Sequence, residues 1–554
     1  MNTIIKRVVL MLLVVVMVTG MVACGGTGTA IPTGAQQGGN QQGGSQQGGD
    51  DIGTGELGVV TYPLDTDAKL SIWCYSSAVP VYKSYKSYKQ SPWHSGLVSK
   101  TGVDIEWIHP VEGADDQQAF NLLMLNEDLP NIVCYGIDPG KAQLLYNEGA
   151  IVDLKPYLAK YAPDYWEFLT APGHEEFLRS VTTEDGQIYM FRAFNEAPNV
   201  AYGPVVRKDW LDECNLDIPV TIEDWEVMLR TFREQYGAKF AFPISRFLTA
   251  GLASGFGAYG SMKCNYYLDN GEIKLAQTQP EFKAYLETMA RWVKEGLVDV
   301  DSLIMTDEGF RTKAINNNTG AAFVVMSLFT KIINDSAAER TSAEWVAVPY
   351  PVVEEGQPTS WVQYSGLTSV YGSFVTTSNT EEEIIAAVQW LNYFYCEDGI
   401  NYAAYGILDD TYYIDENGLP QYTDKVLKDR DGPSAGAAKY TGYGNVPVAG
   451  YQPARVPIMK NDPVVSAGSA IWLANTKAAD AVIPTLVLTA DEAAEYADLS
   501  MATFTYGDEQ IMKILAGEVS IDKWDSVIAH MYDLGLQEML DIRNAAYQRY
   551  LKGE

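Results

Sequence analysis

Few residues of this 554-residue chain are spaced for covalent chemistry. The four histidines, at 94, 109, 174 and 530, form no His-Glu-x-x-His pair, and no Gly-x-Ser-x-Gly elbow presents a nucleophilic serine. Gly136-Ile137-Asp138-Pro139-Gly140-Lys141 is one residue short of a phosphate-cradling loop and lacks its Ser or Thr, so it reads as a turn after a strand. The 71 acidic residues leave open a pair of carboxylates facing across a cleft, the arrangement that hydrolyses glycosides. The better-supplied chemistry is non-covalent. Tyr outnumbers Phe 35 to 17, with 12 Trp. Such aromatics offer a face for a C–H surface and a polar atom for a hydroxyl, which is what a sugar ring needs.

Cys24 divides the chain. Before it stand two cations (Lys6, Arg7), an apolar run from Val8 to Val18, and the stretch Thr19-Gly20-Met21-Val22-Ala23. Residues 1–23 therefore read as an export signal cut before the cysteine. The segment resembles a bacterial lipoprotein signal, with Met21 where Leu is usual, and the resemblance implies a lipid on the Cys24 thiol. The run is short for a membrane span of about 20 residues. Residues 24–60 are dominated by Gly, Gln, Thr and Ser and cannot bury enough apolar surface to order themselves. A Gly-rich coil of about 33 residues reaches roughly 30 Å. The expectation is a body anchored by lipid to the outer face of the cell membrane, outside the cytoplasm.

The remaining composition suits a large body with more than one lobe, 47% of the residues being hydrophobic. A formal charge of −32 without a concentrated basic face disfavours nucleic acid as a partner and fits colloidal solubility. If Cys24 carries lipid, five cysteines remain, at 74, 134, 214, 264 and 396. Their spacing matches no metal motif, and they read as buried thiols.

From Thr61 onward the pattern alternates strand and helix. Leu70, Ile72 and Cys74, then Val103, Ile105 and Trp107, then Ile132-Val133-Cys134 read as strands. Between the last two, Phe120, Leu123 and Met124 mark one face of a helix. That order predicts parallel pairing through right-handed crossovers, with ligands beyond the carboxyl ends of the strands. Helix starts are expected at Thr221/Asp224, Thr278/Glu281 with Pro280, and Thr380/Glu383, and a hairpin at Asn417-Gly418.

Several segments together carry a family resemblance: Phe120-Asn121-Leu122-Leu123-Met124 to Leu129-Pro130-Asn131-Ile132-Val133, Gly149-Ala150-Ile151-Val152-Asp153-Leu154, Asp185-Gly186-Gln187-Ile188-Tyr189, Val206-Arg207-Lys208-Asp209-Trp210-Leu211-Asp212 and Lys294-Glu295-Gly296-Leu297-Val298-Asp299. In this order they resemble the extracellular solute-binding proteins of carbohydrate ABC importers, including the alginate-oligosaccharide binders. The resemblance covers most of residues 68 to 550. It implies an α/β, two-lobed periplasmic-binding-protein-like fold (type II-like), each lobe a mostly parallel sheet flanked by helices, with crossing hinge segments. The expected division is 61–203 plus 365–435 for the first lobe and 204–364 plus 436–554 for the second. The implied function is capture of an oligosaccharide between the lobes and delivery to permease subunits of an ABC transporter, by a monomer without catalytic residues or cofactor. The alternatives are an extracellular glycosidase and a non-transport, adhesive carbohydrate-binding surface protein.

Where the alginate binders keep an Asp- and Asn-rich calcium loop, this chain reads Glu234-Gln235-Tyr236-Gly237-Ala238-Lys239-Phe240, too poor in oxygen ligands for a hard cation. No metal is expected there. Ligand-binding candidates follow from position. Tyr75 and Tyr135 lie at strand ends, Trp93 follows the loop after the first strand, and Gln117 opens the next helix. Asn195, Arg246 and Tyr259 lie in irregular stretches after strand-like runs. Ser327 follows Ala321 to Met326, where the resembling receptors place a cleft loop, with Met326 nearest to their Trp. Tyr364, Tyr443 and Tyr451 occupy Gly-rich loops of the second half, Tyr451 near a cleft aromatic of the resembling proteins. Arg207, Asp209 and Trp210 read as hinge and packing residues.

Overall fold

The computed structural model describes residues 56–552, apart from 75–84, 86, 112–113, 127, 197–201, 242–251, 260–265, 302–304, 339–340, 361–367, 431–432, 443–449, 454–455, 457–462, 475–480 and 485. The signal, Cys24 and most of the expected tether lie outside the described residues.

Apolar side chains gather into two large cores. One holds Ile72, Trp73, Val133, Phe194, Phe374, Trp390 and their neighbours. The other holds Val205, Trp225, Phe240, Trp292, Phe323, Trp345 and Trp472. In chain order the strands are β1 (Ser71–Cys74), β2 (Glu106–Ile108), β3 (Ile132–Gly136), β4 (Phe191–Asn195), β5 (Tyr202–Arg207), β6 (Phe240–Ala241) and β7 (Tyr266–Asp269). There follow β8 (Glu272–Leu275), β9 (Ala321–Val325), β10 (Trp345–Ala347), β11 (Thr368–Val375), β12 (Tyr412–Ile414), β13 (Pro420–Tyr422) and β14 (Tyr451–Gln452).

The first sheet has the order β14-β4-β11-β3-β1-β2. As the strand–helix alternation predicts, β1 pairs in parallel with both β2 and β3. Strand β14 is parallel to β4, and β11 runs antiparallel between β3 and β4. Gly372 of β11 stands opposite both Tyr135 and Arg192. A Cβ there would lie 2.5 Å from the Phe191 carbonyl, so only glycine permits this approach. The second sheet, β10-β5-β9-β6, has β5 antiparallel to β9 and β10, with β6 parallel to β9.

The chain passes from one sheet to the other three times: between β4 and β5, between β10 and β11, and between β14 and the helix Pro463–Leu473. That helix seats Trp472 on β5, its indole N–H donating to the Pro204 carbonyl at 3.1 Å. The described strands that bound these passages all leave or enter the first sheet at one edge. The pairing directions put the carboxyl ends of β1 to β4 and β14 there, with the amino end of β11. In the second sheet the edge that meets β4 holds the start of β5 and the ends of β6, β9 and β10.

Local signals set most helix boundaries. Thr221/Asp224 and Thr380/Glu383 form capping boxes on Ile222–Tyr236 and Glu381–Asn392. Gly237 and Gly296 end their helices in the left-handed region. The expectation for Thr278 is corrected: Gln279 caps Pro280–Glu295, and the Thr278 hydroxyl turns back to the Leu275 carbonyl at 2.7 Å. The Asn417-Gly418 hairpin joins β12 to β13. None of the four described cysteines, Cys74, Cys134, Cys214 and Cys396, forms a disulfide.

The leading segment is bound to the first core. Gly58 N–H donates to the Ala159 carbonyl at 2.9 Å and Leu64 N–H to that of Thr101 at 2.8 Å. The Tyr62 hydroxyl donates to the Gln389 carbonyl at 2.7 Å.

Candidate functional site

The edge where the three passages meet is the candidate site. On the first sheet, Tyr135, the last residue but one of β3, is half-buried, its ring lying flat on Phe120 at 4.2 Å between centroids and edge-on to Trp73 at 6.1 Å. Phe120 belongs to the helix Asp116–Leu123, whose first turn lies over the carboxyl edge because the helix leads from β2 to β3. Asp115 caps this helix, accepting the Gln118 N–H at 2.9 Å, which leaves Asp116 and the exposed Gln117 beyond the strand ends. Tyr371 of β11 stands opposite Gly136 and is 39% exposed. Burial raises both phenols above the usual tyrosine value. Tyr371 and then Asp116 and Asp115 add to this at Tyr135, and Asp116 adds to it at Tyr371.

The neighbouring strands complete the edge. Asn195, half-buried, pairs with Gln452, and Tyr451 pairs with Phe194. The Tyr451 ring packs edge-on against Phe168 at 5.5 Å, and burial followed by Glu196 raises its phenol. Arg192 of β4 is a cation in this row, but it is 5% exposed and serves the scaffold. Its Nη2 donates to the Ile137 carbonyl at 2.9 Å and to the Tyr189 hydroxyl at 2.7 Å. Across the passage, Met326 and Ser327 open the helix that follows β9, whose last residue Val325 pairs with Tyr202.

Of the residues chosen from sequence, Gln117, Tyr135, Asn195 and Tyr451 thus share one edge, and Ser327 opens from the facing one. Trp93 does not join them. It is 1% exposed in the helix Pro92–Thr101, stacked on Tyr402 and flanked by Tyr88 and Trp107, so its position after a loop reflects core packing. Tyr259 stacks on Tyr267 at 5.0 Å and is held through its backbone by Gln279. Tyr75, Arg246, Tyr364 and Tyr443 lie outside the described residues. Asp116 and Tyr371 are the residues sequence reasoning missed. The first looks like a helix-start acid, and the run that carries the second, Thr368–Val375, shows no strand periodicity that singles it out.

Arg207 is buried and packs as expected. It donates through Nε to Asp209 at 2.7 Å and lies over Trp210 at 4.3 Å. The segment 234–240 is used for packing: Tyr236 stacks on Trp210 at 4.0 Å, Gly237 ends the helix and Ala238 is buried. Among the described residues no group of three or more His, Cys, Asp or Glu is placed to hold a metal ion.

The alginate-binding protein AlgQ2, solved without calcium ion, superposes with a TM-score of 0.72 at 22% identity over 88% of this chain and 100% of its own. The ABC-transporter substrate-binding protein FusA of S. pneumoniae, an EF-hand mutant in complex with fructo-nystose, gives 0.71 at 17% over 88% and 100%. The fold is that of the ABC solute-binding proteins. Two curated relatives from Bacillus subtilis are each 21% identical. Lipoprotein LipO aligns over 320 residues, 55% of this chain, and the polygalacturonan/rhamnogalacturonan-binding protein YtcQ over 317 residues, 56% of it. The alignment spans 61% of the length of each of these two relatives. No family model matches the sequence.

Proposed function

We propose that this protein captures an oligosaccharide between two lobes and delivers it to the permease subunits of an ABC transporter. The observation that carries this is the meeting of three chain passages at one sheet edge lined by Tyr135, Tyr371, Tyr451, Asn195 and Asp116. Groups of this kind combine an apolar face with hydroxyl partners, as a sugar requires. The names of relatives, a polygalacturonan/rhamnogalacturonan-binding protein and a fructooligosaccharide ABC transporter substrate-binding protein, support the same class of ligand.

The mechanism is capture by closure. A ligand touching both edges stabilises the closed form by its differential affinity, and the closed form is what the permease reads. A micromolar ligand needs about −8 kcal/mol, within reach of a few aromatic contacts and charge-assisted hydrogen bonds. The lobes are 61–203 with 365–435, and 204–364 with 436–554, with β14 returning to the first sheet. The protein is a monomer without catalytic residues, exported and held on the outer face of the membrane by a lipid on Cys24. Thermal-shift screening of oligosaccharides followed by small-angle scattering tests this. A ligand that raises Tm and compacts the protein is expected; chromatographic breakdown of that ligand, or no compaction with any sugar, overturns the reading.

A further inference from the structure

The two halves also touch outside the three passages. In the first core, the helix Pro139–Asn147 contributes Ala142 and Leu145, and the helix Glu175–Ser180 contributes Phe177. Facing them, the helix Ala490–Leu515 sends Ile511, Ile514 and Leu515 into the second core, and the helix Leu536–Lys552 packs Met539 and Tyr547 with Tyr266 in a smaller cluster. These helices meet across the halves at Gly140 and at Tyr550.

Gly140 is the second residue of its helix, which starts just past the end of β3, at the carboxyl edge of the first sheet. A Cβ on Gly140 would stand 3.3 Å from the Ala493 Cβ and 3.7 Å from the Leu488 carbonyl oxygen, so the absent side chain lets the start of the opposite helix come close. At Tyr550, the Arg179 guanidinium lies 3.9 Å from the ring centroid and its Nη1 donates to the Tyr550 carbonyl at 3.5 Å, while the phenol donates to Glu176. Arg549 ties these points into one unit. It donates to Glu492 at 2.9 Å and to the Val487 carbonyl at 3.2 Å, fixing the last turn of the terminal helix to the segment that faces Gly140.

We propose that this contact is a closing clasp, made when the second half lies against the carboxyl edge of the first sheet and broken when the halves part. The inference rests on the capture-by-closure reading above. The bonds across the contact are non-covalent, and a swing about the passages that draws the second half off that edge must lengthen both points together. The clasp favours the closed form before a ligand arrives, and the ligand supplies the remainder of the bias. One cation over an aromatic ring near the surface is worth about threefold in population, enough to bias the swing without locking it.

Spin labels on Glu148→Cys and Met501→Cys, an exposed position on each half, read the distance between the halves by double electron–electron resonance on the protein without added sugar. Arg179→Ala, Tyr550→Ala and the wedge Gly140→Leu should each lower the short-distance population about threefold. Arg179→Ala and Tyr550→Ala together should lower it no further than either alone, and Tyr550→Phe, which keeps the ring over the guanidinium, should stay near the parent protein. Distances that none of these substitutions changes, or a shift to shorter ones, overturn the clasp and leave capture by closure standing. Capture itself falls on the sugar screen described above, not on this measurement. Circular dichroism melts identify a variant that fails to fold, and the two points of contact are probed by separate variants, so the remaining ones still decide.

Discussion

The indole N–H of Trp107 donates to Nδ1 of His94 at 3.1 Å, and this contact sets the tautomer of the histidine. With Nδ1 accepting, the ring proton sits on Nε2, which faces Asp104 Oδ1 at 3.1 Å. Burial, aided by Lys89, holds His94 below the usual histidine range in spite of Asp104. A second proton would have to enter against the indole hydrogen.

Acidification should therefore weaken the first core. The unfolded chain takes up the proton near pH 6.5 and the folded chain only at lower pH, so the unfolded state binds more protons in between. Stability falls as pH drops below about 6.5 and levels off once the folded histidine is charged. Calorimetric Tm from pH 7.5 to 5 should show this limb, and His94→Gln should flatten it; an unchanged limb in the variant would assign it elsewhere.

A second acid limb belongs to the other core. Burial alone would raise Glu226, but hydrogen bonds from Arg291, Trp292 and Arg230 outweigh it and hold the carboxyl at about 2. The Trp292 indole donates at 3.0 Å and Arg230 at 2.9 Å. A depressed carboxyl stabilises the fold above its unfolded value of about 4.3 and loses that contribution as pH falls through the folded one. In urea unfolding, Glu226→Gln should cost on the order of 2 kcal/mol at pH 6, and the difference should shrink toward pH 2. A difference independent of pH would contradict the assignment.

Gly203 tests how the third passage docks. A Cβ there would come within 2.2 Å of the Trp472 indole, on a strand that has no room to retreat. Gly203→Ala should lose about 1–3 kcal/mol or more by overpacking. Adding Trp472→Phe to the variant should recover part of the loss, and no recovery would mean that the clash lies elsewhere.

Binding and packing aromatics should separate cleanly. Tyr371→Ala removes an exposed ring from the proposed site and should weaken an oligosaccharide about tenfold, the scale of one aromatic contact, with little change in Tm. Trp93→Phe trims a buried ring and should lower Tm while leaving affinity as it is. Titration and melting of the two variants check this, and the reverse pattern would move the site away from this edge.

The proposed anchor is a single thiol. Cys24→Ala should release the exported protein from membranes into the medium, measured by fractionation and immunoblot. Retention of the variant on membranes would require another mode of attachment.

Much of the architecture is legible in the chain itself. Helix caps at Thr221 and Thr380, stop glycines at 237 and 296, and the Asn417-Gly418 turn are local signals, and they fold as local signals should. The parallel set β1, β2 and β3 follows from strand–helix alternation. Strand β11 does not, because its insertion between β3 and β4 joins residues far apart in sequence, and no periodicity announces such a partner. The site is legible to the same degree. A strand end points to Tyr135, and Asn195, expected in an irregular stretch, ends β4 instead, but Trp93 shows that a residue after a loop can be core. Asp116 and Tyr371 become neighbours of Tyr135 only through tertiary packing.

The hydrogen bonds that bind residues 58 to 64 to the first core have a mechanical consequence. Tension arriving along the leading end of the chain is borne by Ala159, Thr101 and Gln389, all around the first sheet, and not by the passages between the sheets. A pull on the leading end would then load one half alone, and the other half could swing without working against it.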